Sequence, residues 1–130
     1  KLRFVVKGFH IHVNPVSDGS PNCTAAGGHF NPYSKLFVRL KMKFIVCFLD
    51  KTHGPRTTDI NSRHVGDLGN ITTDANGVAT IDLTDAIIQL YNATQSIINR
   101  TVIVHRHRDD AGLSGQSDSL TTGYECLFVV

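Results

Sequence analysis

The chain has little excess charge of either sign: 13 basic residues stand against 11 acidic ones in a chain of 130, a formal net of +2. That near-balance argues against a dedicated nucleic-acid or membrane-surface protein and makes any electrostatic role local. No apolar run reaches the roughly 20 residues that a membrane helix needs. Lys1-Leu2-Arg3-Phe4 has neither the apolar core nor the small-residue cleavage site of a signal peptide, so the chain reads as soluble and shows no address. The three cysteines, Cys23, Cys47 and Cys126, include no CxxC pair, which removes the zinc-ribbon and thioredoxin readings. One disulfide and one leftover thiol is the simplest count. The length suits one domain with a single core, taken as 1–130.

What is present is a period-two texture. Apolar runs at Phe4–Val13, Thr80–Leu83 and Thr101–His105 are separated by Gly, Asn, Asp and Pro clusters, which predicts an all-β fold. Asp74-Ala75-Asn76-Gly77 predicts a hairpin turn between Ile71 and Val78–Leu83, because Asn-Gly tolerates the positive φ of a tight turn. Ala86 to Leu90 has room for one helical turn. Pro15–Lys35 and Asp109–Gly123 read as functional loops. Leu36–Leu49 alternates apolar residues with Arg39, Lys41 and Lys43 and then runs apolar, the pattern of a strand that ends aggregation-prone. Four acceptor sequons, at Asn22, Asn70, Asn92 and Asn99, exceed the one or two expected by chance and lean toward an extracellular, secreted protein rather than a cytoplasmic one.

The histidines carry the chemistry. His10 and His12 lie two apart in an extended apolar context, so their rings leave one face of a strand and can chelate a single ion. His105 ends another β-branched run, and imidazole ligation of this kind suits Cu(II). His53, His64 and Asp67 lie in loop-like sequence, His64 and Asp67 three apart in a Gly-flanked turn. With His29 they make three imidazoles and one carboxylate, a set that tetrahedral zinc accepts. So many imidazoles and a carboxylate are too many for one metal and imply two. Taken singly, His10 and His12 also read as a polar stripe, His53 as a surface-turn histidine, and Asp109-Asp110-Ala111-Gly112 as an ordinary turn.

Taken together, GFHIH at 8–12, C-x-x-A-G-G-H-F-N-P from Cys23 to Pro32, His53-Gly54-Pro55, RHVGDLGN from Arg63 to Asn70, and VIVH ending at His105 followed by Asp109-Asp110 resemble the copper/zinc superoxide dismutase family, in that order. The resemblance covers roughly 8–35 and 52–123. It implies a Greek-key β-barrel or sandwich with long metal-binding loops. It implies copper on His10, His12, His29 and His105 and zinc on His29, His53, His64 and Asp67. His29 would then be a shared imidazolate whose lost proton two cations compensate. Asp109 matches the carboxylate that would link the outer ring nitrogens of His12 and His53 and fix their orientation. The implied reaction turns superoxide into dioxygen and hydrogen peroxide at copper, with His29 and His105 catalytic, His29 relaying a proton and zinc holding it in place. Arg106 and Arg108 after His105 read either as a solvated strand end or as added positive field for an anionic substrate. A nucleic-acid role for His105–Arg108 has no support from so short a basic run.

Departures from the family pattern set further expectations. About three strands that precede GFHIH in the family have no counterpart in Lys1–Lys7, which predicts open sheet edges prone to association. The segment at about 36–50 must loop out for His53 to reach the site. After Gly123 no arginine matches the one that lies near copper in the family, so turnover should fall while metal binding persists. The resemblance also implies a disulfide from Cys23, with Cys126 as the candidate partner at an altered spacing. A homodimer is implied, although the segments that form it are missing or altered. The alternative to an enzyme is therefore a metal-binding, dismutase-like domain with little or no turnover.

Overall fold

The computed structural model describes residues 4–17, 23–33, 53–56, 59–60, 62–91, 94–113 and 126–129. Among the described residues, four strands form one antiparallel sheet: β1 (Val5–His12), β2 (Asp67–Thr73), β3 (Thr101–His105) and β4 (Cys126–Val129), in the order β2-β1-β3-β4. No α-helix occurs among the described residues, and a four-residue 3-10 turn spans Cys23–Ala26. The all-β expectation holds.

The β-branched runs become the central strands β1 and β3, where alternation divides their side chains between two environments. Phe9 and Ile11 face a core that joins Ile11, Phe30, Val65, Leu68 and Ile87, with Val102 packed against it. His10 and His12 take the opposite face, where the register sets them against Ile103 and Thr101 of β3. Thr101, Ile103 and His105 are the buried residues of β3, so His105 emerges on the histidine face. On the other side of β1, His10 pairs with Asp67, and the register shifts between Gly8 and His10. The shift falls beside His10, whose ring meets Asp109, a place where bulges often occur next to sites.

Several local expectations fail. Asp67 is the first residue of β2 rather than part of a loop. The turn at 74–77 forms, but Thr80–Leu83 is not a strand. Asp74 Oδ1 accepts from the Asn76 and Val78 amides, and φ is positive at Gly77 (83°) and not at Asn76. Positive φ at Gly77 alone closes a three-residue loop rather than a two-residue Asn-Gly turn: the Asp74 amide donates to the Val78 carbonyl (2.8 Å) and the Gly77 amide to the Asp74 carbonyl (3.1 Å), and no strand follows at Thr80–Leu83. Ala86–Leu90 makes no helical turn: Asp85 caps the Ile87 and Ile88 amides, but the chain goes on to a bridge between Gln89 and Ser96. β4 was not foreseen; it pairs with β3 from Ile103 to His105. The predicted strand at 36–49 lies outside the described residues, as do the side chains of Cys23 and Cys126 and therefore their pairing.

Candidate metal centre

Backbone bonds draw three ligand-bearing segments together before any side chain is considered. The Ile11 amide donates to the Gly66 carbonyl (2.9 Å), Gly66 to Phe30 (2.9 Å) and Phe30 to Ile11 (2.8 Å), which closes a triangle. A Cβ at Gly66 would stand 2.2 Å from the Ile11 oxygen, so glycine is the residue that lets the strands approach this closely. His10 and His12 flank one corner, His29 adjoins the second, and His64 and Asp67 flank the third. His53 is brought in separately, where the Gly54 amide donates to Asp67 Oδ2 (3.1 Å).

Two buried donor sets result. One joins His10, His12, His29 and His105, the other His29, His53, His64 and Asp67; within each, the ligand atoms lie within 4.8 Å of one another. His29 belongs to both, and its ring centroid is 4.0 Å from that of His10 and 4.8 Å from that of His53. Asp67 Oδ1 faces Nδ1 of His29 (2.8 Å), His53 (3.0 Å) and His64 (3.4 Å). Its other oxygen is held by the Gly54 and His64 amides, the latter at 2.9 Å.

Outer partners set the tautomers. His12 Nδ1 donates to the Gly27 carbonyl (2.7 Å), which leaves the Nε2 lone pair inward, 3.3 Å from Nε2 of His105. Asp109 receives His10 Nε2 on Oδ2 (3.0 Å) and His53 Nε2 on Oδ1 (2.5 Å), and so ties one set to the other. This corrects the link expected from the sequence, which ran through His12. His12 is held by Gly27 because the bulge after Gly8 turns His10, not His12, toward Asp109. Asn70 fixes Asp109 in turn: its amide accepts from the Asp109 backbone N–H (2.8 Å) and donates to the Asp109 carbonyl (3.0 Å).

The donor atoms fit metal cations. The buried Nδ1 of His10 has no hydrogen-bond partner, Nδ1 of His53 and His64 converge with that of His29 on the single oxygen Asp67 Oδ1, and the His12 and His105 nitrogens face each other. Buried polar atoms are ordinarily satisfied, so inward lone pairs clustered in this way call for an electrophile. Imidazole nitrogen with a single carboxylate suits copper or zinc, whereas calcium and magnesium favour oxygen.

Electrostatics agree with that fit. Burial, reinforced by the neighbouring His29, lowers the pKa values of His10 and His12 to about 3, so both rings are neutral and competent as ligands near pH 7. Burial also opposes charge on His53, but hydrogen bonds to Asp109 and Asp67 outweigh it and raise that pKa to about 10. For Asp67, burial is overcome by bonds from His29, His53 and His64, and for Asp109 by bonds from His10 and His53; both stay ionised well below the ordinary carboxylate range.

Known proteins place this arrangement. The copper/zinc superoxide dismutase (SODC) family model matches residues 2–125. The chain belongs to the copper/zinc superoxide dismutase family. A relative from Neurospora crassa named superoxide dismutase [Cu-Zn] is 44% identical over 117 residues, which is 90% of this chain and 62% of that protein. One of the same name from Kluyveromyces lactis is 42% identical over 118 residues, 91% of this chain and 63% of that protein. The chain thus spans less than two thirds of the length of these curated relatives. The crystal structure of the clock protein EA4 superposes with a TM-score of 0.71 at 35% identity, covering 97% of this chain and 70% of that one. Both donor sets of this superoxide dismutase family member are compatible with copper and zinc.

Sequence reasoning named every residue of both sets but assigned no role to Asn70, Gly66 or Arg63. All three sit inside RHVGDLGN, and their roles depend on what that segment packs against. Gly27 acts through its carbonyl, for which a side-chain reading holds no signal.

Proposed function

We propose that this chain is a superoxide dismutase, with copper on His10, His12, His29 and His105 and zinc on His29, His53, His64 and Asp67. One observation carries the reading: two buried donor sets converge on His29 within a chain of this family. When bound, copper supplies a one-electron couple that accepts an electron from one superoxide and returns it to another, and zinc supplies fixed positive charge. Two superoxides and two protons then give one dioxygen and one hydrogen peroxide.

The chain's own residues do the remaining work. The Gly27 carbonyl and the Asp109 carboxylate hold His12, His10 and His53 in the tautomers that aim a lone pair inward. His29 has Nδ1 against Asp67 Oδ1, and the opposite ring nitrogen is where it would hold and release a proton. Exposed Arg106 and Arg108 follow His105 directly and would raise the local concentration of a small anion.

Superoxide decay in the presence of the copper- and zinc-loaded chain tests this. Decay well above the spontaneous rate, lost in His105→Ala, is expected. A chain that holds both metals and leaves decay at its spontaneous rate would instead support a dismutase-like metal-binding domain without turnover. We also propose secretion, on the four sequons; an unglycosylated chain recovered from the cytosol of its source would contradict it.

A further inference from the structure

We infer that Arg63 and Asp85 are positioning residues for the second donor set, a proposal that rests on the reading of that set as the zinc site. Arg63 precedes His64, yet its side chain is fully buried (0% exposed) and pairs with Asp85. Its Nη1 donates to the Asp67 carbonyl (2.8 Å) and, more weakly, to those of Val65 (3.3 Å) and His64 (3.4 Å). One planar fork therefore gathers the carbonyls of the turn that presents His64 and Asp67.

The fork is itself anchored. Arg63 Nη2 donates to Asp85 Oδ2 at 2.6 Å, and the Asp85 side chain is 2% exposed. The other Asp85 oxygen accepts from the Ile87 (2.8 Å) and Ile88 (3.1 Å) amides, and Ile87 lies in the same core as Val65 and Leu68. Asp85 also meets Arg56 Nε (3.5 Å), and Arg56 Nη2 donates to the Thr84 carbonyl, so the segment that carries His53 reaches the same anchor. Asp85 is thus the common point to which both loop segments of the second set are tied.

A buried ion pair is weak evidence of stabilisation, because desolvation offsets much of the attraction. A role in geometry better explains why a charge that touches no ligand atom is spent on three carbonyls of one turn. Loss of an outer partner of a metal ligand commonly lowers metal affinity by about 10- to 100-fold.

The experiment compares the parent with Arg63→Lys, which keeps the charge but loses the fork, and Asp85→Asn, which keeps the shape and the amide caps. Zinc affinity is measured by competition with a chromophoric chelator. The visible spectrum of cobalt(II) loaded in place of zinc reports geometry, and copper affinity serves as the internal control. The expected result for either variant is a zinc affinity about 10- to 100-fold weaker and altered cobalt bands, with copper affinity within about twofold of the parent. Zinc affinity and cobalt bands matching the parent would overturn the proposal, as would zinc and copper affinities falling together, which marks a merely structural pair. A parent that binds neither zinc nor cobalt overturns the zinc reading, and this proposal with it.

Discussion

Asp109 concentrates the site's dependence on one residue, because its two oxygens hold His10 of one set and His53 of the other. Asp109→Asn should weaken both metals, each by about 10- to 100-fold, in chelator competition; a loss confined to one metal would show that the two links are not equivalent. His53 gives the pH dependence. Its pKa in the metal-free fold is raised to about 10 from 6.5, so the stability it contributes is complete below 6.5 and lost as pH rises toward 10. Asp67 and Asp109 are lowered and act in the opposite sense: their contribution is present above the ordinary carboxylate pKa and lost as pH falls below it. Zinc, however, needs the neutral His53 ring, so its binding at pH 7 should release about one proton per ion. Calorimetry in buffers of differing ionisation enthalpy measures this, and a heat independent of buffer would contradict it.

Gly66 and Gly77 separate two reasons for glycine within neighbouring elements. A Cβ at Gly66 would strike the Ile11 carbonyl oxygen at 2.2 Å, inside the triangle that joins the ligand segments, whereas one at Gly77 (φ +83°) would meet nothing within 4 Å. Gly66→Ala should therefore cost about 3 kcal/mol or more, through lost backbone bonds and displaced neighbours. Gly77→Ala should cost about 1 kcal/mol, from left-handed strain alone. Denaturant midpoints at unchanged slope check the contrast. The same elements show what the sequence disclosed. β1 and β3 were legible because apolar and β-branched residues run through both, with His10 and His12 two apart in β1 and His105 closing β3. Asp74-Ala75-Asn76-Gly77 reverses the chain as its turn residues imply, but no strand follows at Thr80–Leu83. Asp67 looked like loop because Gly66 and Gly69 surround it, yet register with His10 makes it the start of β2. The exchange of His10 for His12 as the partner of Asp109 followed from the bulge after Gly8, a tertiary feature that spacing does not encode.

Across the whole molecule, the buried polar groups among the described residues, six histidines with Arg63, Asp67, Thr73, Thr101 and Asp109, outnumber the buried apolar ones. An interior built in this way cannot rest on apolar burial alone, since each unsatisfied buried polar atom costs about 1–3 kcal/mol. Metal binding should therefore be coupled to stability. An ion present at about 1,000 times its dissociation constant adds about 4 kcal/mol per site, about 8 kcal/mol for two sites, so chelation should lower Tm by roughly 30 °C in a chain of this size. Calorimetric melting with and without chelator checks this.

The central claim is that two donor sets share His29 and hold different metals. Native mass spectrometry of the chain after metal removal and reloading with copper and zinc tests it most directly. The account predicts a dominant species carrying one copper and one zinc per folded chain, reduced in His29→Ala. A parent chain that saturates with a single ion would contradict it.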